Sequence, residues 1–285
     1  MTIAWAFADE RVAHSKANLR QGGIVGTDKD WETWGRTDPY FGVISSDKYR
    51  RENMSEEVRA EFFRSGEVHV AEVLSRIRNH FESGFSPLST LDFGCGVGRL
   101  VIALARHTKR VVGVDVSEAM IEEARRNCAR AAVANADFVK SDDDLSEVST
   151  TFDLVHTFIV LQHIPWSRGR RLMQRLSEQV NEGGYFCAQF LISCTASPLK
   201  RNLVRLRYAL APLNWLRNLM RHRPLFEPAM QLHVYDLRVI VSDLHRRGFD
   251  SMLLSVAEPT HDFEFESAFL IAQRSRKCSP LESRT

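Results

Sequence analysis

Three glycines at alternate positions constrain this chain more than any other feature. Gly94, Gly96 and Gly98 lie in the segment LDFGCGVGRL of residues 91–100, after a short apolar run and before a helical pattern. Glycine has no Cβ, so the backbone can turn sharply there and approach a ligand closely. The segment therefore predicts a strand, a tight loop and a helix, with loop amides that point outward at a ligand carboxylate or phosphate.

From Gly84 onward, apolar runs of strand length alternate with helical patterns. This alternation is typical of a doubly wound sheet, whose parallel strands are buried on both faces. The predicted fold class is α/β, with a doubly wound, mostly parallel sheet of seven strands at 90–93, 110–114, 137–140, 152–158, 185–190, 252–256 and 268–272. Helices are predicted at 99–107, 118–130, 168–180 and 237–247, with Ser117 and Asp236 as N-caps and Gly248 as the last stop.

Two segments lie outside this alternation. Residues 1–81 are predicted to form an N-terminal cap, in which an aromatic-rich loop precedes a long helix that begins at Glu56. Residues 195–234 are predicted to form a helical insertion after the fifth strand. The range 82–275, including the insertion, is predicted to be one domain with one core, which a length of 285 residues allows. Residues 276–285 are predicted to be a disordered tail.

Composition limits the partners and the compartment. The formal net charge of +2 does not indicate a nucleic-acid-binding surface, so no nucleic acid partner is expected. Five cysteines occur without a CxxC pair, which argues against a disulfide framework and a structural zinc, so no metal is expected. The N-terminus has no signal-peptide core and no apolar run reaches membrane-spanning length. These patterns predict a cytoplasmic location.

An acidic residue follows the second predicted strand. The segment VVGVD of residues 111–115 ends in Asp115, about 20 residues beyond the glycine loop, where a nucleotide site requires an acid for the ribose. A carboxylate at this place can accept hydrogen bonds from both ribose hydroxyls. Enzymes that use NAD and enzymes that use S-adenosylmethionine (SAM) both fit the loop and this acid.

The glycine spacing separates these two classes. NAD-dependent oxidoreductases carry GxGxxG, whereas residues 92–98 read Asp-x-Gly-x-Gly-x-Gly. Over residues 65–273 the chain resembles the class I SAM-dependent methyltransferases, whose first motif is an acid followed by GxGxG. Within that family it is similar to small-molecule methyltransferases of a bacterial type with an aromatic N-terminal cap, through DPYF at 38–41 and FFRSG at 62–66. The resemblance implies a Rossmann-like methyltransferase domain with SAM as its cofactor.

The same resemblance implies roles for single residues. Asp92 and the loop amides hold the amino and carboxylate ends of the methionine moiety, and residues 157–160 run beside it. Asp142, after the third strand, receives the adenine amino group. Asp143 is the alternative, since three aspartates are consecutive here, and a solvated acidic loop is a further one. The implied cofactor-binding residues are Asp92, Gly94, Cys95, Gly96, Gly98, Asp115, Val116, Asp142 and Phe158.

Candidates for catalysis are fewer, because methyl transfer chiefly needs an aligned acceptor and exclusion of water. A general base is needed only where the acceptor loses a proton. His163, in a segment at 152–164 that resembles the family pattern FDxVxxxxVLxHI, is the predicted base, with His156 as a second candidate. A bracing role for His163 is the alternative. His233 and Tyr235, which alternate with Gln231, are rival polar groups.

The acceptor is predicted only by class. Residues 199–223 are amphipathic and strongly basic, which fits a roof over a substrate pocket, a peripheral contact with an anionic membrane, or a hairpin packed on the core. An anionic or hydrophobic small molecule is expected, with O-methylation of a sugar, lipid-like or secondary-metabolite hydroxyl favoured. C- or N-methylation stays open, as do an NAD-dependent oxidoreductase and a SAM-binding protein without catalysis. The oligomeric state is not predicted.

Overall fold

The computed structural model describes residues 27–141, 144–259 and 264–276, and its centre is one seven-stranded sheet. The strands are β1 (Ser89–Phe93), β2 (Arg110–Asp115), β3 (Ala136–Lys140), β4 (Phe152–Thr157), β5 (Val180–Cys194), β6 (Phe249–Ala257) and β7 (Phe265–Arg274). Their order is β3-β2-β1-β4-β5-β7-β6, and only β7 runs antiparallel to its neighbours. The predicted fold class is confirmed.

Helices flank this sheet and precede it. They are α1 (Thr27–Thr37), α2 (Pro39–Val43), α3 (Glu56–His80), α4 (Arg99–Ala105), α5 (Glu118–Arg130), α6 (Trp166–Glu178), α7 (Pro198–Ala209), α8 (Ala211–Met220) and α9 (Leu237–His245). The predicted N-caps hold: the Ser117 side chain accepts from the Met120 amide, and the Asp236 side chain accepts from the amides of Arg238 and Val239. Within the described ranges, no helix combines the length and apolarity needed to cross a bilayer.

The core lies on both faces of the central strands. One face packs α6 and α9 against strand residues such as Phe186 and Phe190, and the other packs α3 and α4 against Leu154 and Tyr185. Strand β5 is longer than predicted, because its far end pairs with β7 from Cys194 to Tyr185. This double coverage explains why the strands read as continuous apolar runs in the sequence.

The aromatic residues before α4 form a separate small core. Trp34, Tyr40, Phe41, Tyr49 and Phe62 are buried together against Val97 and Met120. The Tyr40 hydroxyl lies 2.6 Å from an oxygen of Glu123 and 3.0 Å from one of Asn127, both on α5. These contacts fasten the N-terminal helices over the edge of the sheet where β1 and β2 end.

Helices α7 and α8 turn polar side chains toward the protein and apolar side chains toward solvent, the reverse of an ordinary surface helix. In α8 the buried residues are the polar Asn214 and Asn218, and α7 has no fully buried residue. Their leucines are exposed, for example Leu203 at 59% and Leu219 at 64%. Two of the three alternatives, a roof over a pocket and a hairpin packed on the core, turn the apolar face inward and do not fit this orientation, because polar side chains occupy that side. Contact with a membrane stays a prediction.

Candidate functional site

A cavity lies at the carboxyl ends of β1, β2 and β4, which is where open α/β sheets bind ligands. We call it the loop cavity, and its empty volume is about 800 Å³. Its floor includes Gly94 and Gly96 of the glycine loop, and its walls are largely apolar. The residues that define it are Trp31, Val43, Gly94, Gly96, Asp115, Val116, Met120, Ser141, Phe158, Ile159, Val160 and His163.

The glycine loop requires glycine for its backbone shape. Gly94, Gly96 and Gly98 have φ of 73°, 52° and 83°, in the left-handed region that L side chains rarely adopt. A Cβ on Gly94 would lie 2.2 Å from a methyl of Val160, and one on Gly96 would lie 2.5 Å from a methyl of Val43. The loop therefore passes close beneath two residues that also line the cavity.

The loop amides differ from the sequence-based expectation. Those of Gly94 and Cys95 donate to the Val114 carbonyl, that of Gly96 donates to the Asp115 carboxylate at 2.9 Å, and that of Gly98 donates to the Cys95 carbonyl. The prediction that these amides point outward at a ligand is wrong for these four, because the left-handed turns direct them back onto β2 and the loop itself.

Asp115 is the buried carboxylate of the loop cavity. One oxygen accepts from the Gly96 amide and the other from the Ser117 amide, both at 2.9 Å. Burial raises the pKa of Asp115 to about 6, although these amides partly offset the shift. Each carboxylate oxygen keeps a lone pair beyond the amide it accepts from. The site thus offers two fixed acceptors to a pair of hydroxyls.

Asp92 does not line the loop cavity. Its carboxylate accepts a hydrogen bond from Nδ1 of His156 at 3.1 Å, and both residues are almost fully buried. Nε2 of His156 in turn lies 3.0 Å from Nε2 of His69 on α3. Side chains alternate along a strand, so Phe93 faces the cavity while Asp92 faces α3. Asp92 and His156 therefore lie outside the lining of the loop cavity, and their expected roles toward a methionine moiety and an acceptor stay predictions.

The other implied cofactor residues divide into three groups. Gly94, Gly96, Asp115, Val116 and Phe158 line the loop cavity. Cys95 and Gly98 do not, since the Cys95 thiol is buried in the α3 side of the core and Gly98 is the N-cap of α4. Asp142 and its alternative Asp143 lie outside the described residues, although the preceding Ser141 lines the cavity.

A second cavity adjoins the first beneath α7 and α8. We call it the arginine cavity, because Arg207, Arg217 and Arg223 line it, and its empty volume is about 1090 Å³. Arg223 lies 3.6 Å from Glu227, but among the described residues no carboxylate pairs with Arg207 or Arg217. Burial and the neighbouring arginines lower the pKa of Arg217 to about 10. The cavity therefore favours an anionic occupant.

His163 stands between the two cavities and lines both, together with Val43 and Ile159. Nδ1 of His163 donates to the Gln231 carbonyl at 2.8 Å, and Nε2 accepts from the side-chain amide of Gln162 at 3.2 Å. Burial lowers the pKa of His163 to about 4, so the ring is neutral near pH 7. Its ring also packs edge-on against Trp31, with 5.1 Å between centroids.

The two rival catalytic candidates are placed differently. The Tyr235 hydroxyl lies 2.7 Å from the Leu161 carbonyl and 2.9 Å from the Ile164 carbonyl, so its proton is used to brace the turn before α6. The backbone amide of His233 donates to the Gln162 carbonyl, and its Nε2 is buried without a hydrogen bond partner among the described atoms. Neither side chain lines the loop cavity or the arginine cavity.

The sequence analysis did not name Gln189, and it included Ile159 only as part of the segment 157–160. Ile159 has a φ of 62°, which is exceptional for a β-branched residue, and its amide donates to Oε1 of Gln189 at 3.1 Å. The amide of Gln189 donates to Gln162, which donates to His163. A line of oriented amides therefore runs from the end of β4 to the His163 ring. Gln189 is a polar residue within the apolar run of β5, and this could have marked it as a candidate site residue.

Asp153 joins strands at the end of the sheet away from the loop cavity. Its carboxylate accepts from the amides of Leu88 and Ser89 at the start of β1 and from the side chain of Asn181 at the start of β5. It thus fastens the amino ends of three neighbouring strands, at the edge of the sheet opposite to the loop cavity.

Comparisons with known proteins point in one direction. A sequence family described as "Methyltransferase domain" matches residues 90–184. A ubiquinone biosynthesis O-methyltransferase of Coxiella burnetii is 29% identical over 131 residues, which are 46% of this chain and 51% of that protein. A 23S rRNA (uracil(1939)-C(5))-methyltransferase of Aeromonas hydrophila is 33% identical over 116 residues, or 33% of this chain and 26% of that protein. The chain thus spans about half or less of the length of these relatives.

A solved structure shows the same fold. Magnesium protoporphyrin IX methyltransferase of Synechocystis, crystallised with bound SAH, superposes with a TM-score of 0.53 at 22% identity, covering 84% of this chain and 98% of that one. The structural comparison supports the fold, and the sequence comparisons show the similarity to methyltransferases.

Proposed function

We propose that this chain is a class I SAM-dependent methyltransferase, which transfers a methyl group from SAM to a small-molecule acceptor. The observation that carries the proposal is the loop cavity, where a buried carboxylate on β2 and a left-handed glycine loop on β1 meet. An acceptor hydroxyl is the favoured target. Sugars, lipid-like molecules and secondary metabolites are the acceptor classes proposed, and the cytoplasmic location stays a prediction.

The residues of the loop cavity fit SAM by their chemistry. Asp115 would receive the two ribose hydroxyls, and Val116, Met120 and Phe158 offer apolar contacts to the adenine and the ribose. The glycine loop lies where the methionine end would pass. Asp142 is retained as the proposed partner of the adenine amino group. When bound, SAM supplies an electrophilic methyl group on a sulfonium, and the remaining work falls to the chain's own side chains.

The arginine cavity is the proposed acceptor site. It shares Val43, Ile159 and His163 with the loop cavity, so that an acceptor there would face the cofactor across one wall. Arg207 and Arg217 would pair with a carboxylate or phosphate of the acceptor, because charge-assisted contacts with guanidinium groups are strong in a partly buried site. Trp31 lines the loop cavity and Trp34 and Phe41 line the arginine cavity, so the N-terminal helices would limit the access of water to both.

His163 is the proposed proton acceptor. Nδ1 is fixed by the Gln231 carbonyl, and the low pKa keeps the ring neutral. The Nε2 lone pair accepts from the Gln162 amide in this structure and would exchange that hydrogen bond for the proton of the acceptor. His233 and Tyr235 stay weaker proposals, since each is separated from the loop cavity. A bracing role for His163 would make it a positioning residue instead.

Isothermal titration calorimetry tests the cofactor. SAM and S-adenosylhomocysteine are expected to release heat on binding, whereas NAD is expected to give none. A chain that binds NAD and not SAM would be an oxidoreductase. Methyl transfer from radiolabelled SAM to a panel of neutral, anionic and apolar hydroxyl compounds, with amine and carbon acceptors beside them, then tests the reaction. Binding without transfer to any of them would favour a SAM-binding protein without catalysis.

A His163→Gln variant tests the proton acceptor. Loss of a general base is expected to lower turnover roughly a hundredfold with the acceptor that the panel identifies, while the Kd for SAM changes little. The acidic limb of the rate profile near pH 4 is expected to disappear in the variant. His245→Gln, at an exposed position on α9, is the matched control. Unchanged turnover in His163→Gln would remove this residue from proton transfer.

A further inference from the structure

The outward face of the α7–α8 hairpin, residues 198–226, is apolar to an extent seen nowhere else in the described chain. Sixteen large apolar side chains are exposed among the described residues, and eleven of them belong to this segment. They lie on both helices and on the turn after them. They are Leu199, Leu203, Leu206, Leu210, Leu213, Trp215, Leu216, Leu219, Met220, Leu225 and Phe226. A contiguous patch of this kind marks an interaction surface.

The same segment carries a concentrated positive charge. Seven of the chain's 38 lysines and arginines lie within 198–226, and none of its 36 aspartates and glutamates does. The segment is therefore +7, while the rest of the chain is −5 at neutral pH. Lys200, Arg201 and Arg205 are exposed on α7 beside its leucines.

Polar contacts on the inward side fix this orientation. The Tyr208 hydroxyl donates to the Met230 carbonyl at 3.0 Å, and the side-chain amides of Asn214 and Asn218 both donate to the Glu227 carbonyl at 2.9 Å. A rotation that turned the leucines inward would leave these groups without partners. The hairpin is thus held with its apolar face away from the protein.

We propose that the α7–α8 hairpin docks on the surface of an anionic lipid bilayer. The leucines enter the boundary between head groups and acyl chains, as in amphipathic helices that lie in the membrane plane. Trp215 and Phe226, packed edge-on with 5.4 Å between centroids, lie at the interface where aromatic side chains are favoured. The exposed basic side chains, Lys200, Arg201, Arg205 and Arg221, contact lipid phosphates, whereas Arg207, Arg217 and Arg223 line the arginine cavity. This docking is independent of the proposed methyl transfer.

Charge argues against two other occupants. A symmetric contact with a second copy would place two segments of charge +7 against each other, because a twofold interface pairs the same patch with itself. Residues 1–26 contain three basic and two acidic residues, so they bring no countercharge either. An anionic lipid surface satisfies both the apolar and the basic character of the hairpin.

Flotation with vesicles tests the proposal on the full chain. Vesicles of phosphatidylcholine with phosphatidylglycerol are expected to carry the protein upward, and vesicles of phosphatidylcholine alone are expected to carry much less. Added salt is expected to weaken binding, since exposed charges are screened. Tryptophan emission is expected to shift to the blue on binding, and a Trp215→Phe variant is expected to lose most of that shift.

Three variants separate the contributions. Leu203→Ser, Leu216→Ser and Leu219→Ser combined are expected to weaken vesicle binding at least tenfold. Arg201→Gln with Arg205→Gln is expected to weaken it about fivefold for each charge removed. The matched control changes exposed apolar residues away from the hairpin, Val68→Ser with Leu88→Ser, and is expected to bind as the unchanged protein does.

Two outcomes would overturn the proposal. One is absence of flotation with anionic vesicles while the protein is folded by circular dichroism. The other is a concentration-dependent dimer in sedimentation experiments that the leucine variant abolishes, which would assign the face to a second copy. SAM calorimetry on the same preparations keeps the two proposals apart, since a failure to bind SAM leaves flotation unaffected.

Discussion

The carboxylate of Asp115 is the residue that combines burial, fixed geometry and access to the loop cavity. Two amides hold its oxygens, and burial raises its pKa to about 6. Proton binding to Asp115 therefore favours the folded state without ligand. That contribution is complete below about pH 4 and is lost as the pH rises through about 6.

Protonation of Asp115 is expected to weaken SAM binding, although it stabilises the folded protein without ligand. Hydroxyl donors bind the carboxylate better than the protonated acid, so the Kd for SAM is expected to rise as the pH falls through about 6. Asp115→Asn is expected to bind SAM at least tenfold more weakly at pH 8, since hydrogen bonds to charged groups contribute about 1.5–3 kcal/mol. Calorimetry across this pH range measures both effects.

An exposed acid provides the control for that measurement. Asp137→Asn changes a carboxylate on β3 that pairs with Arg110 at the surface. It is expected to leave the affinity for SAM and its pH dependence unchanged. A pH-independent affinity in the unchanged protein would show that Asp115 does not bind the ribose.

At the scale of secondary-structure elements, the close packing of α3 against α4 depends on the absence of a side chain at Gly66. Gly66 of α3 is buried, and a Cβ at that position would lie 2.6 Å from the Arg99 carbonyl oxygen. Gly66→Ala gains about 1 kcal/mol of helix propensity, but it forces the helices apart. A net loss of about 2 kcal/mol in the free energy of unfolding is expected, measured by urea denaturation.

Gly84→Ala is the matched comparison for this substitution. Nothing lies within 4 Å of a Cβ at Gly84, and the residue precedes β1 outside any helix. Its effect is expected to stay within about 0.5 kcal/mol. If Gly66→Ala and Gly84→Ala changed the free energy of unfolding equally, α3 and α4 would not be in close contact at Gly66.

Elements were also what the sequence predicted best. Periodicity and caps placed the strands and most helices within a few residues, since both depend on local pattern. The orientation of single side chains depends on what lies opposite them: Asp92 carries a motif acid, yet strand alternation turns it to His156. The outward leucines of α7 follow from the polar partners of Tyr208 and Asn214, which lie far along the chain and leave no local pattern.

Across the whole molecule, one arginine joins the N-terminal helices to the segment after α8. Arg50 is buried, lies 2.5 Å from Glu227 and 3.2 Å from Asp38, and stacks 3.4 Å above the Phe41 ring. Arg50→Met would leave Asp38 buried without a countercharge and Glu227 with only the more distant Arg223, 3.6 Å away. The free energy of unfolding is expected to fall by about 3–5 kcal/mol.

The neighbouring Arg51 offers a matched control. Its side chain is exposed, and Arg51→Met is expected to change stability by less than about 0.5 kcal/mol. Denaturation by urea compares the two variants. Equal stability of both would mean that the buried ion group does not hold the N-terminal helices in place.

The uneven distribution of charge gives the α7–α8 hairpin a sign opposite to that of the rest of the chain. A net charge of +2 conceals +7 on one short segment and −5 on the remainder. Near any negatively charged boundary, the field exerts a torque that turns this end forward before contact occurs. Collisions with such a boundary are therefore oriented ones, and ionic strength sets the distance at which the rotation begins.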